Sequence, residues 1–207
     1  PEKAASTVAE LKKNGVSFIK IYEMVQPNVF EALVSAAEKE NLPIAAHVPL
    51  STRAGQDGAR LNSMEHLRNI LLDCASNAED LLTRRHEMLS NDQGLLGGDL
   101  RSLIHREQRP VALENLDSEQ CERTVNALIG TIQVPTLSLG NRGEGFATRP
   151  DWLDAVGRMP EPASSIWRSV GSAQRSSTDS YRSTYAAAQM NLVRLMDEAG
   201  VIFGAGT

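Results

Sequence analysis

The sequence predicts an α/β fold in which short parallel strands alternate with amphipathic helices. Three observations carry this reading: apolar runs of strand length, helix-period stripes between them, and stop signals at the junctions. In the first helical pattern Ala4, Val8 and Leu11 share a face, and Asn14-Gly15 supplies a left-handed C-cap. Residues 16–23 then read as a strand. Pro27 opens the next helix as its first residue, with Val29, Leu33 and Ala36 on one side. Asn41 and Pro43 close it, and residues 44–48 read as a strand. A short helix over 53–60 leads to a third strand at 62–66. Residues 132–138 and 201–206 complete the candidate strands. Between them Thr178 is placed to cap a helix whose Tyr185, Ala188, Leu192, Leu195 and Ala199 form a stripe, ended by Gly200. Alternation of this kind implies parallel pairing through right-handed crossovers. Strands apolar on both faces imply helices on one side and a barrel core or second helix layer on the other. A complete (β/α)8 barrel takes ~250 residues, and this chain has 207.

Two regions depart from the rhythm. Residues 67–130 read as a polar, mainly helical insertion anchored by Leu81, Leu82, Leu89, Leu103 and Leu128, and residues 139–177 as a loop rich in Gly, Pro, Ser and Arg. Both follow the C-terminal end of a strand, where barrel enzymes carry substrate loops and lids. The run Gly140 to Gly145 lacks the spacing of a phosphate cradle and reads as a mobile loop.

Composition excludes several function classes. The chain is 41% hydrophobic and 23% charged with a net charge of −5, and it has no basic stripe of the kind nucleic-acid binding requires. It has no apolar run of the ~18 residues that would mark a membrane span. Self-association into a homo-oligomer is left open. Cys74 and Cys121 lie far apart, with no disulfide framework and no metal-type spacing, which fits a reduced compartment. The chain starts at Pro1 inside a helical pattern and stops inside a strand. It therefore reads as a piece of a longer protein whose targeting signal, and hence localisation, is not in view.

The chemistry-bearing residues sit at strand ends. Alternation puts Phe18, Lys20 and Tyr22 on one face of the first strand. A lysine in an apolar strand at a barrel mouth has three uses: Schiff-base formation, general base, or reaction with CO2 to give a metal-bridging carbamate. An exposed sheet edge is the plain alternative. His47 ends the second strand before Pro49, and His66 ends the third. A lone histidine is most often a core residue bonded to backbone. Lys, His and His at equivalent depth on successive strands point instead to a divalent metal such as zinc. Glu65 precedes His66 and by alternation faces the other way, so it receives no ligand role. Tyr22 shares the Lys20 face and reads as a substrate contact or a packed ring. His105 and Arg109, with Arg106, read as lid residues contacting substrate or as a solvated helix face.

The segments FIKIY, AAHVP, SMEHL, QVPTLSL and AGVIFGAGT, in that order, are similar to the imidazolonepropionase/prolidase-like branch of the amidohydrolase superfamily. The resemblance implies a partial TIM barrel, approximately strands four to eight of eight, as one domain over 1–207 with the 67–130 insertion. It implies a hydrolase that uses one or two metal ions, zinc by preference, to activate water against an amide, peptide or related bond in a small molecule or short peptide. Lys20 matches the carboxylated bridging lysine, and His47 and His66 match the fifth- and sixth-strand ligands. The family's His-x-His pair would precede residue 1 and its catalytic Asp would follow Thr207, so the fragment alone is expected to bind metal weakly and to be inactive. Two other readings stand beside it. One is a Schiff-base lyase of the class I aldolase kind with Lys20 as nucleophile. The other is a degenerate barrel without catalysis.

Overall fold

The computed structural model describes residues 1–92, 94–95, 97–137, 149–175 and 180–206. Its centre is a parallel sheet of β1 (Ile19–Ile21), β2 (Ile44–Ala46), β3 (Ser63–Glu65) and β4 (Ile132–Val134), in sequence order. The segment after Gly200 runs alongside β4, where the Gln133 N–H donates to Ile202 O at 2.9 Å and the Gly204 N–H donates to Gln133 O at 2.8 Å. Helix α1 (Ala4–Lys13) precedes β1, α2 (Pro27–Lys39) and α3 (Ala54–Asp57) are the early crossovers, and a 3-10 turn follows α3. Between β3 and β4 come α4 (Ile70–Asp73), α5 (Ala78–Ser90), α6 (Gly97–Glu114) and α7 (Ser118–Ala127). Helices α8 (Pro150–Gly157), α9 (Ala163–Arg175) and α10 (Ser180–Glu198) follow β4. The α/β reading and the helical character of 67–130 agree with this. The loop expected over 139–177 instead contains α8 and α9, and Arg149-Pro150 opens α8 as an extended N-cap followed by proline. Gly140 to Gly145 and Thr178 lie outside the described residues. No helix among the described residues is long and apolar enough to cross a membrane.

Burial sorts the two sheet faces. Ile19, Ile21, Ile44, Ala46 and Met64 lie in one core with Val8 of α1, Phe30, Val34 and Ala37 of α2, and Leu192 and Met196 of α10. The stripe on α2 is thus one residue out of phase with the predicted Val29 and Leu33, because the helix turns Phe30 squarely onto the sheet. The opposite face carries Lys20, Ala45, Ser63 and Ile132 in register and is less buried. The sheet is therefore two-faced rather than apolar on both sides.

A second correction concerns the cysteines. Helix α7 folds back onto α4, and Cys74 and Cys121 form a disulfide across that contact with their Cα atoms 4.0 Å apart. Spacing along the chain could not reveal it, because the pairing depends on how α5 and α6 return. The same junction is tied by an antiparallel bridge between Ala75 and Leu116. Ser76 N–H donates to Asn115 O at 2.9 Å, and Asp117 N–H donates to Cys74 O at 3.0 Å.

Candidate metal centre

Three adjacent strands deliver their C-terminal ends to one place. The register pairs Lys20 with Ala45 and Ala45 with Ser63. Two residues further along, His47 and Glu65 share the Lys20 face, since alternation has period two. Glu65 accordingly points toward Lys20 and not away from it, which overturns its exclusion as a site residue. Its Oε2 forms an ion pair with Lys20 Nζ and stands 3.8 Å from His47 Nε2 and 3.7 Å from His66 Nε2.

His66 reaches the same spot by another route. Alternation alone would send it to the helix-covered face. Its backbone is left-handed (φ 62°), as are Leu67 (φ 52°) and Asn69 (φ 65°). For residues other than glycine this region is costly, on the order of 1–3 kcal/mol each, and such strain collects at functional sites. The turn is anchored: His66 N–H donates to Val134 O at 2.8 Å, and Asn69 Nδ2 donates to Val48 O at 2.7 Å. The histidine rings meet edge to face with centroids 4.8 Å apart.

The donors of His47, Glu65 and His66 all lie within 4.8 Å of one another. Burial, then the Lys20 cation, pushes the His47 imidazole down to about 4. His66 is also lowered, by burial and then by Arg68. Both rings are therefore neutral near pH 7, the state in which imidazole binds metal. Their Nδ1 atoms are buried without a hydrogen-bond partner among the described residues. Two neutral imidazoles and a carboxylate form a donor set suited to zinc or a similar divalent ion.

Of the remaining predicted residues Tyr22 borders the cluster, whereas His105 and Arg109 make their contacts with Glu23 and Tyr185. Tyr22 is exposed, its ring 4.8 Å from that of His47 and 5.8 Å from Lys20 Nζ. His105 is buried, with Nε2 3.3 Å from Glu23 Oε2, so the solvated-face alternative fails for it. Arg109 lies 5.0 Å over the ring of Tyr185. Sequence reading missed Glu23, Arg68, Arg101 and Arg85. Burial pushes the Arg85 guanidinium down to about 10, and its Nε–H donates to Leu50 O at 2.6 Å, holding the loop after His47 onto α5. The i, i+4, i+8 spacing of Arg101, His105 and Arg109 was the available signal.

No family model matches the sequence, and no curated protein matches it. Among solved structures the chain resembles one titled "AH, Bottromycin amidohydrolase", with a TM-score of 0.65 and 21% identity over 100% of this chain and 40% of that one. The α/β fold seen here is therefore shared with an amidohydrolase, of whose chain this one spans about two fifths.

Proposed function

We propose that the chain contributes part of the active site of a metal-dependent hydrolase of the amidohydrolase type, built on strands four to eight of a TIM barrel. The observation that carries this is the meeting of Lys20, His47, Glu65 and His66 at adjacent strand ends. The likeness to an amidohydrolase fold supports it. His47, Glu65 and His66 would hold a divalent ion, zinc by preference, with Lys20 joining after carboxylation. Such an ion polarises a carbonyl and lowers the pKa of water.

The chain's own residues supply the rest. His47 and His66 stay unprotonated through burial and so leave their ring nitrogens free to bind. Tyr22 forms the exposed rim against His47, where its ring orients an incoming amide or peptide. Uncarboxylated, Lys20 neutralises Glu65; carboxylation would turn the cation into an anion and free Glu65. Zinc calorimetry with and without bicarbonate tests the assignment. Because Glu65 adds a third donor that the weak-binding expectation did not count, one ion per chain is expected, bound more tightly with bicarbonate, and Lys20→Ala should remove the bicarbonate effect. Tighter zinc binding by Lys20→Ala, with no bicarbonate effect in the parent, would make Lys20 a counter-ion only. Absence of zinc binding under both conditions would overturn the metal centre.

A further inference from the structure

The segment between His47 and α3 is buried, yet it forms neither helix nor strand. Val48, Leu50, Ser51 and Thr52 are each 7% exposed or less. Irregular backbone in the interior must find partners for its polar groups away from water. Here side chains from other elements supply most of them. Val48 O accepts from Asn69 Nδ2 at 2.7 Å, and Leu50 O accepts from Arg85 Nε at 2.6 Å. Ser51 O lies 2.8 Å from His86 Nε2, and Pro49 O accepts from Thr52 N–H at 3.2 Å. On the opposite side His47 N–H donates to Ile21 O at 3.0 Å, and Leu50 N–H donates to Glu23 O at 2.8 Å. The segment is thus strapped between the end of β1, helix α5 and the turn after His66.

Asn69 is the partner whose role the local structure does not explain. It is the N-cap of α4, yet its side chain makes no bond to that helix. An asparagine at this position normally accepts from the first N–H groups of its own helix. This one is left-handed (φ 65°), 6% exposed, and turned away to donate to Val48 O. Helix α4 therefore lacks a side-chain cap, and the two histidine loops gain a link. His47 is held from both sides, its own N–H by Ile21 O and the next carbonyl by Asn69. The rings so placed meet edge to face with centroids 4.8 Å apart.

We infer that Asn69 is a positioning residue: through Val48 O it sets the His47 imidazole against the His66 imidazole, while Arg85 and His86 hold the far end of the segment. The use of that spacing for an ion rests on the hydrolase reading. The spacing itself belongs to the chain without metal. Groups that orient metal ligands commonly govern affinity by about 10- to 100-fold, although they never touch the ion.

The test compares the chain with Asn69→Gly, which removes the bond while glycine takes the left-handed backbone without strain. NMR of the metal-free protein reads the cross-peak between the His47 and His66 ring protons. Cobalt(II) titration reads affinity and the visible ligand-field band. Asn69→Gly should lose the cross-peak and weaken cobalt binding on the order of tenfold, with an altered band. Asn69→Asp, which sets an acceptor against a carbonyl, should do the same. Ser51→Ala removes a side-chain bond to Val25 O, 2.7 Å long, from the same segment beyond the Arg85 contact, and should change neither readout. Far-UV circular dichroism and urea unfolding establish that each variant folds. A lowered unfolding midpoint for Asn69→Gly with the ring cross-peak intact would make Asn69 a structural residue only and overturn the inference. Equal loss in Ser51→Ala would also overturn it, since any loosening of the segment would then suffice. If the parent chain binds no cobalt, the hydrolase reading falls, and the ring cross-peak in Asn69→Gly still decides the positioning role.

Discussion

Asp73 and Glu65 are two carboxylates on the same stretch of chain, and they are used in opposite ways. Asp73 is saturated. Its Oδ1 accepts from Arg53 Nε and its Oδ2 accepts from Gly55 N–H at 2.6 Å. Its backbone carbonyl accepts from Gln120 Nε2 at 3.1 Å and Thr124 Oγ1 at 3.2 Å. Every bond goes to a neighbouring helix or loop, so Asp73 is an architectural joint. Glu65 contacts one lysine and faces two imidazoles too distant to hydrogen bond. Capacity left over beside neutral donors marks a place where something else binds, while capacity fully used marks a place where the fold is held.

The difference can be broken experimentally, and the largest effects belong to binding. His47→Ala or His66→Ala should abolish stoichiometric zinc uptake in calorimetry while leaving the far-UV spectrum unchanged. Retained one-to-one uptake would make the cluster accidental. On the architectural side, opening the disulfide with Cys74→Ser plus Cys121→Ser should lower stability by as much as ~4 kcal/mol, the loop-closure scale for the 47-residue separation. Urea unfolding measures it. Asp73→Ala should cost about 3 kcal/mol by leaving Arg53 without its buried partner, yet leave zinc binding intact. Glu65→Ala should do the reverse, weakening zinc uptake at a stability cost within ~1 kcal/mol, since its side chain is 27% exposed. If Glu65→Ala destabilises as much as Asp73→Ala, the distinction collapses.

A pH series sharpens the contrast with the buried Glu23. Burial alone would raise its pKa, but His105, Arg68 and Arg101 outweigh burial and hold it at about 2. The His105 ring is itself lowered, by burial first, and so is neutral near pH 7. There the ring contributes a hydrogen bond and the arginines contribute the charge. A depressed carboxylate pKa stabilises the fold above the ordinary value of 4.5, and that stability is lost as pH falls toward 2. The contribution is about 3 kcal/mol. Urea unfolding at pH 7, 4 and 3 should show the parent losing its advantage over Glu23→Gln across that window. A constant difference between the two would place the charge cluster outside the folding balance.

Much of this was readable from residue order. Helix periodicity and Asn-Gly or proline boundaries placed α1, α2 and the strands around Lys20, His47 and Met64, because local patterns dictate local structure. The site was legible in its lysine and histidines, which lie at strand ends. Glu65 was not, since which face it takes depends on strand register and on the left-handed turn at His66. Neither leaves a mark at period two. For His105 the sequence left a lid contact and a solvated face open, because its partner, Glu23, is 82 positions away. The cysteine pair and the α8 and α9 helices were hidden for related reasons: one depends on tertiary return, and the other lies in a segment whose composition resembles loop.

The tie between Cys74 and Cys121 also bears on how such a protein can change over evolutionary time. Because the disulfide, the Ala75–Leu116 bridge and the flanking backbone bonds bring both ends of the 76–116 segment together, α5 and α6 leave and re-enter the fold through a closed neck. A segment with adjoining ends can lengthen, shorten or be exchanged without moving the strands on either side, since closing a longer loop adds little entropic cost. The His47, Glu65 and His66 cluster lies outside that neck, while Arg101 and His105 lie within it. Exchange at the neck would therefore alter the charged group around Glu23 while leaving the Lys20, His47, Glu65 and His66 cluster in place.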